Sequence, residues 1–181
     1  MGKDKLRRFA EMATFSNVFE PVLEEVFNKD YKLKGKWSSE FGNKNPIVLE
    51  LACGKGEFTV AGAERDSESN FIGIDIKGNR MHRGAKHCLE NNIGNARFLR
   101  TQIDFITSLF DKDEVDDIWI IFPDPQPQKN RARKRLTGTM FTDRYKRVLK
   151  PGGYVHLKTD NAGFYAFTLE QIEKHGFKVE V

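Results

Sequence analysis

From Ile47 onward, short apolar runs alternate with amphipathic stretches, and this alternation constrains the fold more than any other feature of the chain. It is the signature of βα units feeding a mostly parallel sheet. Strands are predicted at Ile47–Leu51, Asn70–Ile76, Ala96–Arg100, Asp117–Phe122 and Tyr154–Thr159. Ile-Val-Leu-Glu-Leu and Ile-Trp-Ile-Ile-Phe are the near-continuous apolar runs that strands covered on both faces require. Helices fit Glu57–Arg65, Gly78–Asn91, Ile103–Phe110, Thr139–Leu149 and Gly163–His175. Pro151-Gly152-Gly153 stops the fourth, and Gly176 stops the fifth before a last run, Phe177–Val181.

The 181 residues suffice for one domain with one core and one active site. Residues 1–45 read as an N-terminal extension and 46–181 as the core domain. The extension holds a predicted helix over Val18–Phe27, entered near Pro21, and a loop from Lys29 to Asn45 that carries Lys29, Lys32, Lys34 and Lys36. No apolar run approaches the roughly 20 residues that span a bilayer. The basic start, Met1-Gly2-Lys3-Asp4-Lys5-Leu6-Arg7-Arg8, leads into no apolar segment of a secretory signal. A cytoplasmic protein with no membrane partner is therefore expected. Cys53 and Cys88 lie far apart without metal-type spacing, so both read as reduced packing residues and no metal is expected. A formal charge of +4 is a modest pointer to a polyanionic partner.

The first predicted strand runs into Glu50-Leu51-Ala52-Cys53-Gly54-Lys55-Gly56-Glu57, directly before a helix. A glycine-rich turn there lets a ligand approach the backbone, with helix-terminal N–H groups facing it. The dinucleotide fingerprint is not met, because Thr59 stands where its third glycine would be. What remains, an acid four positions before the Gly54–Gly56 pair, resembles the nucleotide loop of class I methyltransferases with Ala52 in place of the first glycine. Asp75 ends the next strand 19 residues after Gly56, where the fold would offer acceptors to ribose hydroxyls. Plainer readings exist: a tight βα turn for the glycines, a strand-end cap for Asp75. Glu50 resists one, because an acid inside an apolar strand requires a partner or a function.

The fourth strand runs into Phe122-Pro123-Asp124-Pro125-Gln126-Pro127-Gln128. Ligands of open parallel sheets sit at the carboxyl ends of the strands, and the prolines restrict the backbone on both sides of Asp124. Next come Lys129, Asn130, Arg131, Ala132, Arg133, Lys134 and Arg135, five of the seven cationic. Charge runs are usually solvated faces. Beside a candidate active site, an arginine-rich loop suits phosphates, and nucleic acid becomes the leading substrate class.

Phe-Pro-Asp-Pro, the Lys/Arg run, Arg135-Leu136-Thr137, Leu149-Lys150-Pro151-Gly152-Gly153 and His156-Leu157-Lys158-Thr159-Asp160-Asn161 together resemble the bacterial tRNA (guanine-N7)-methyltransferase family over roughly residues 35–181. The resemblance implies an α/β, Rossmann-like class I methyltransferase fold, with a mostly parallel central sheet and helices on both faces. It implies S-adenosylmethionine as methyl donor, S-adenosylhomocysteine as product and tRNA as partner. Glu50, Asp75 and Gln102 would join Gly54 and Gly56 in lining the cofactor pocket, with Asp124 at the reaction centre beside it. Gln128 and Asp160 would touch the substrate, and Asn130, Arg131, Arg133, Lys134 and Arg135 the RNA. Many relatives carry Asp at the position of Gln102, Trp or His near Gln126 and Lys at Gln128. They also continue into a Thr-Glu-Tyr-Glu-like segment with no match here, so an incomplete C-terminal hairpin, from truncation or a shortened tail, is expected. Three readings stay open beside this one: a class I methyltransferase for a small molecule or protein, a non-enzymatic RNA-binding module on the same scaffold, and a nicotinamide enzyme, which the absent third glycine disfavours. A monomer and a homodimer are both compatible with the sequence.

Overall fold

The computed structural model describes residues 3–180. In chain order its elements are α1 (Lys3–Met12), β1 (Val18–Phe19), α2 (Leu23–Val26), α3 (Trp37–Phe41), β2 (Ile47–Leu51), α4 (Glu57–Arg65), β3 (Asn70–Asp75), α5 (Gly78–Glu90), β4 (Ala96–Arg100), α6 (Ile106–Leu109), β5 (Val115–Ile121), α7 (Thr139–Val148), β6 (Leu149–Lys158) and α8 (Ala162–His175). Short 3-10 turns, Ile103–Phe105 and Lys129–Lys134, precede α6 and α7.

The strands form one sheet in the order β1-β4-β3-β2-β5-β6, each neighbouring pair parallel. All carboxyl ends therefore share one rim. The chain steps outward from β2 through β3 to β4, then restarts at β5 on the other side of β2, so the order reverses between β2 and β5. A crevice opens at the rim of such a switch point, because the flanking crossovers leave in opposite directions.

Strand alternation sorts the core into two layers. Leu49, Leu51, Ile72, Ile74, Leu99, Ile118 and Ile120 pack with Ile106 and Leu109 of α6 and Phe141, Tyr145 and Val148 of α7. Val48, Phe71 and Phe98 face the other way, onto Met12 of α1, Ala63 of α4 and Met81, Ala85 and Cys88 of α5. Fully burying such side chains contributes about 1.5–3 kcal/mol each, so both helical layers are needed to hold the sheet. Among the described residues, no helix is long and apolar enough to cross a membrane.

The N-terminal region differs from its sequence reading. Instead of a helix over Val18–Phe27, Val18 and Phe19 extend beside β4, and only Leu23–Val26 coils. Pro21 holds Glu20 away from helical geometry, while the β4 edge supplies partners such as the Phe98 N–H, which donates to Asn17 O at 2.8 Å. Trp37 sits at 0% exposure, stacks on Phe110 with centroids 5.5 Å apart and donates Nε1–H to Leu109 O at 3.0 Å. At the other end, β6 begins at Leu149, earlier than expected. Val115 pairs with Leu149 and Asp117 with Tyr154, so Pro151-Gly152-Gly153 forms a bulge inside the strand. Phe177–Glu180 carries no strand; Val181, the last residue of that run, lies outside the described residues.

Candidate active site

Beyond β2 the chain turns through Ala52, Gly54 and Gly56, at φ 59°, 57° and 73°. The two glycines serve different ends. A Cβ on Gly56 would lie 2.5 Å from Cε1 of Phe98, so close packing excludes a side chain. A Cβ on Gly54 would meet nothing within 4 Å, leaving its backbone open to a ligand. Ala52 holds a left-handed conformation at a cost of about 1 kcal/mol relative to glycine.

Glu50 is 6% exposed. Its Oε2 accepts the Thr59 N–H at 2.9 Å and the Thr59 hydroxyl at 2.6 Å, both from the first turn of α4. In register beside Glu50 lies Gly73, where a Cβ would come within 2.8 Å of Thr59 Oγ1. The missing side chain makes room for the threonine that satisfies the acid. Oε1 has no donor among the described residues. Burial pushes the Glu50 carboxyl up to about 7; the Thr59 bonds oppose the shift, and Asp75 and Glu57 add to it by like charge. Asp75, at the end of β3, accepts Gly54 N–H through Oδ2 at 2.9 Å and Lys77 N–H through Oδ1 at 2.8 Å. The carboxylate thus ties the second strand end to the elbow and keeps lone pairs for further donors.

Across the switch point, β5 leads into the Pro-Asp-Pro turn. Phe122 and Gln126 both stand at left-handed φ, 46° and 45°. Such geometry costs on the order of 1–3 kcal/mol per residue and marks a tightly determined turn. The Phe122 N–H is held by Lys158 O at 2.8 Å, Pro123 is buried, and Asp124 Oδ1 accepts the Gln126 N–H at 3.0 Å. Asp124 itself is exposed, with Oδ2 directed at no donor among the described residues.

The basic run winds into the 3-10 turn rather than an irregular loop. Asn130, Arg131, Arg133 and Lys134 are exposed on it, as is Gln128 just before. Arg135 differs: its Nε–H donates to Gln126 O at 3.2 Å, and its guanidinium lies 4.5 Å from the Phe167 ring centroid. These contacts tie it to the Pro-Asp-Pro turn and to α8. Gln102 follows β4, where its carbonyl accepts the Phe105 N–H at 3.1 Å, and Asp160 follows β6. Glu50, Gly54, Gly56, Asp75, Gln102, Asp124 and Asp160 therefore stand within a few residues of a strand's carboxyl end, whereas Gln128 and the basic turn follow further along the chain after β5.

Two neighbours of the candidate residues were given no role by the sequence reading. Thr59 occupies the position of the missing third glycine, yet a threonine in the first turn of a helix is unremarkable by itself. Phe122, 55% exposed beside Asp124 with Lys158 Nζ 5.4 Å from its ring centroid, hid at the end of an apolar run.

A parallel sheet of this order with an acid–glycine elbow beside its switch point is the Rossmann-like fold of class I methyltransferases. A 30S ribosomal A1408 methyltransferase from an uncultured bacterium shares the fold at a TM-score of 0.57 and 17% identity, over 77% of this chain and 73% of that one. Residues 44–180 match the methyltransferase family model Methyltransf_4. The chain is 51% identical over 178 residues to the tRNA (guanine-N(7)-)-methyltransferase of Christiangramia forsetii, across 98% of this chain and 80% of that protein. To the protein of the same name from Bacteroides thetaiotaomicron it is 48% identical over 181 residues, across 99% and 71%. The chain belongs to the tRNA (guanine-N(7)-)-methyltransferase family.

The site suits the cofactor of that class, S-adenosylmethionine. The free Oε1 of a buried acid matches an ammonium group, the remaining lone pairs of Asp75 match a ribose diol, and the open backbone at Gly54 admits a ligand against the elbow.

Proposed function

We infer that the chain transfers the methyl group of S-adenosylmethionine to N7 of a guanine in tRNA, in the family's case a variable-loop guanine, and so works in the cytoplasm. The observation that carries this reading is the meeting of the elbow and the Pro-Asp-Pro turn on one rim, in a chain that shares half its residues with enzymes of that name.

Glu50, Gly54, Asp75 and Gln102 would hold the cofactor, which when bound supplies a methyl group on a cationic sulfur. Guanine N7 carries a lone pair and no proton, so no residue has to act as a general base. The chain must instead position the base and tolerate the positive charge that the purine acquires. Asp124 fits both tasks: its free carboxylate oxygen can accept from the guanine N1–H and amino group, and its charge offsets that of the product base. The rigid turn keeps the carboxylate from swinging away, so little reorganisation is needed.

N7 of a stacked guanine faces the deep, narrow groove of A-form RNA, so the target has to be in a loop or turned out of its stack. Exposed cations at Arg131, Arg133 and Lys134 can hold phosphates while the base reaches Asp124. Incubation of unmodified tRNA with methyl-labelled cofactor, followed by nucleoside analysis, should place the label in 7-methylguanosine. Label in another nucleoside, or none in RNA, would overturn the reading.

A further inference from the structure

We propose that the groove between α1 and the outer face of α5 is a second RNA-backbone site, holding phosphodiesters on the far side of the glycine elbow from the arginine-rich turn. The proposal rests on the RNA substrate inferred above. The groove encloses about 520 Å³ and, among the described residues, is lined by six cations: Arg7 and Arg8 from α1, Lys55 from the elbow, and Arg80, Arg83 and Lys86 from α5. Two carboxylates share it, Glu11 and Glu90.

Those acids engage one of the six cations, Lys86, and leave the other five. Glu11 is committed within the fold, accepting from Lys86 Nζ at 2.6 Å and facing His82 Nε2 at 2.9 Å. These contacts hold the Glu11 carboxyl down at about 2 and pin α1 to α5. Among the described residues Glu90 approaches only Lys86, at 3.9 Å. Arg7 and Lys55 meet their acids, Asp4 and Glu57, at 3.8 Å in exposed positions where such pairs contribute little. Arg8, Arg80 and Arg83 make no ion pair among the described residues. Arg80 and Arg83 are exposed and three residues apart on α5, hence on one face. Planar guanidinium groups spaced in this way match phosphate oxygens. The lining holds no Phe, Tyr or Trp on which a base would stack, so the groove favours backbone over bases.

Its position links it to the reaction centre. Lys55 belongs to both groove and elbow, and a Cβ on Gly84 would sit 2.5 Å from the Lys55 carbonyl, so α5 seats directly on the elbow's backbone. In the order β3-β2-β5, α5 follows β3 and the arginine-rich turn follows β5, so the two basic surfaces flank the elbow. RNA on both sides of a reacting guanine can then be held at once.

The test compares the full chain with its R80A/R83A variant and with Lys174→Ala, a cation on α8 outside both surfaces. tRNA affinity is measured across a potassium chloride series, and S-adenosylmethionine binding by calorimetry. R80A/R83A should weaken tRNA binding at least tenfold at moderate salt and reduce the salt slope by roughly 1.4 to 1.8 log units per log salt, two phosphate contacts' worth. Cofactor affinity should be retained, and Lys174→Ala should match the parent. An unchanged slope and affinity in R80A/R83A overturns the proposal. So does a parallel loss of cofactor binding, which would mean a disturbed elbow. Loss of binding to phosphatidylglycerol vesicles with unaltered tRNA binding would assign the groove to a membrane surface and also overturn it. If the parent chain methylates no tRNA, the proposed function falls, whereas the salt slopes still report on the groove.

Discussion

Asp124 projects from a turn that fixes one of its carboxylate oxygens on the Gln126 N–H and leaves the other for a substrate. Asp124→Ala should lower kcat by a hundredfold or more, about the loss seen when one preorganised electrostatic partner is removed, while tRNA affinity stays within about twofold. Asp124→Asn keeps an acceptor for Gln126 and removes only the charge, so it should lose most of that activity with its turn intact. An unchanged kcat in either variant contradicts the role. Glu50 gives a second, pH-dependent expectation. Its folded pKa, raised to about 7, means that the native state holds more protons than the unfolded chain between about 4.5 and 7, so its contribution to stability falls as pH rises through that window. A cofactor ammonium on Oε1 should draw that pKa down. Calorimetric heats near pH 6 in buffers of different ionisation enthalpy should therefore reveal proton release on cofactor binding, with none at pH 8.5; equal heats near pH 6 would remove Glu50 from the pocket. Both acids were legible in the sequence because each breaks a pattern: a carboxylate inside an apolar strand, and one between prolines. Thr59 and the bracing contacts of Arg135 were not, since nothing in a helical threonine or a run of cations shows which side chain turns inward.

The arginine-rich turn and the Pro-Asp-Pro turn are coupled through Arg135, whose contacts with Gln126 and Phe167 set it apart from its exposed neighbours. R131A/R133A should therefore weaken tRNA binding and lower the salt slope by roughly 1.4 to 1.8 with no change in Tm. Arg135→Ala should also lower Tm, by roughly 2–8 °C, for a loss of about 1–2 kcal/mol in hydrogen bonding and cation–π contact. Equal effects on Tm from all three arginines would refute the division. The buried parallel strands were readable because their apolar runs are short and bounded. β1 was not: two residues pair with an edge that only tertiary structure provides. The bulge in β6 was missed for a related reason, since Pro-Gly-Gly reads locally as a boundary and only pairing with β5 shows that the strand continues through it.

For the molecule as a whole, strand order decides which residues can cooperate. Elbow, proline-bounded turn and basic turn are far apart in the chain, and a parallel sheet with its switch between β2 and β5 delivers all three to one edge. At the opposite edge lies a cleft of about 760 Å³, lined by residues that include Lys29, Lys34, Asp111 and Lys146 and remote from every carboxyl end. Hydrogen exchange read by mass spectrometry, first with S-adenosylmethionine and then with tRNA added, separates the two surfaces. Cofactor should slow exchange across residues 52–57 and 75–79, and tRNA should extend protection to 122–135. Protection by tRNA confined to residues 28–34 and 107–112, with 122–135 exchanging as in the free protein, would contradict a single reacting rim.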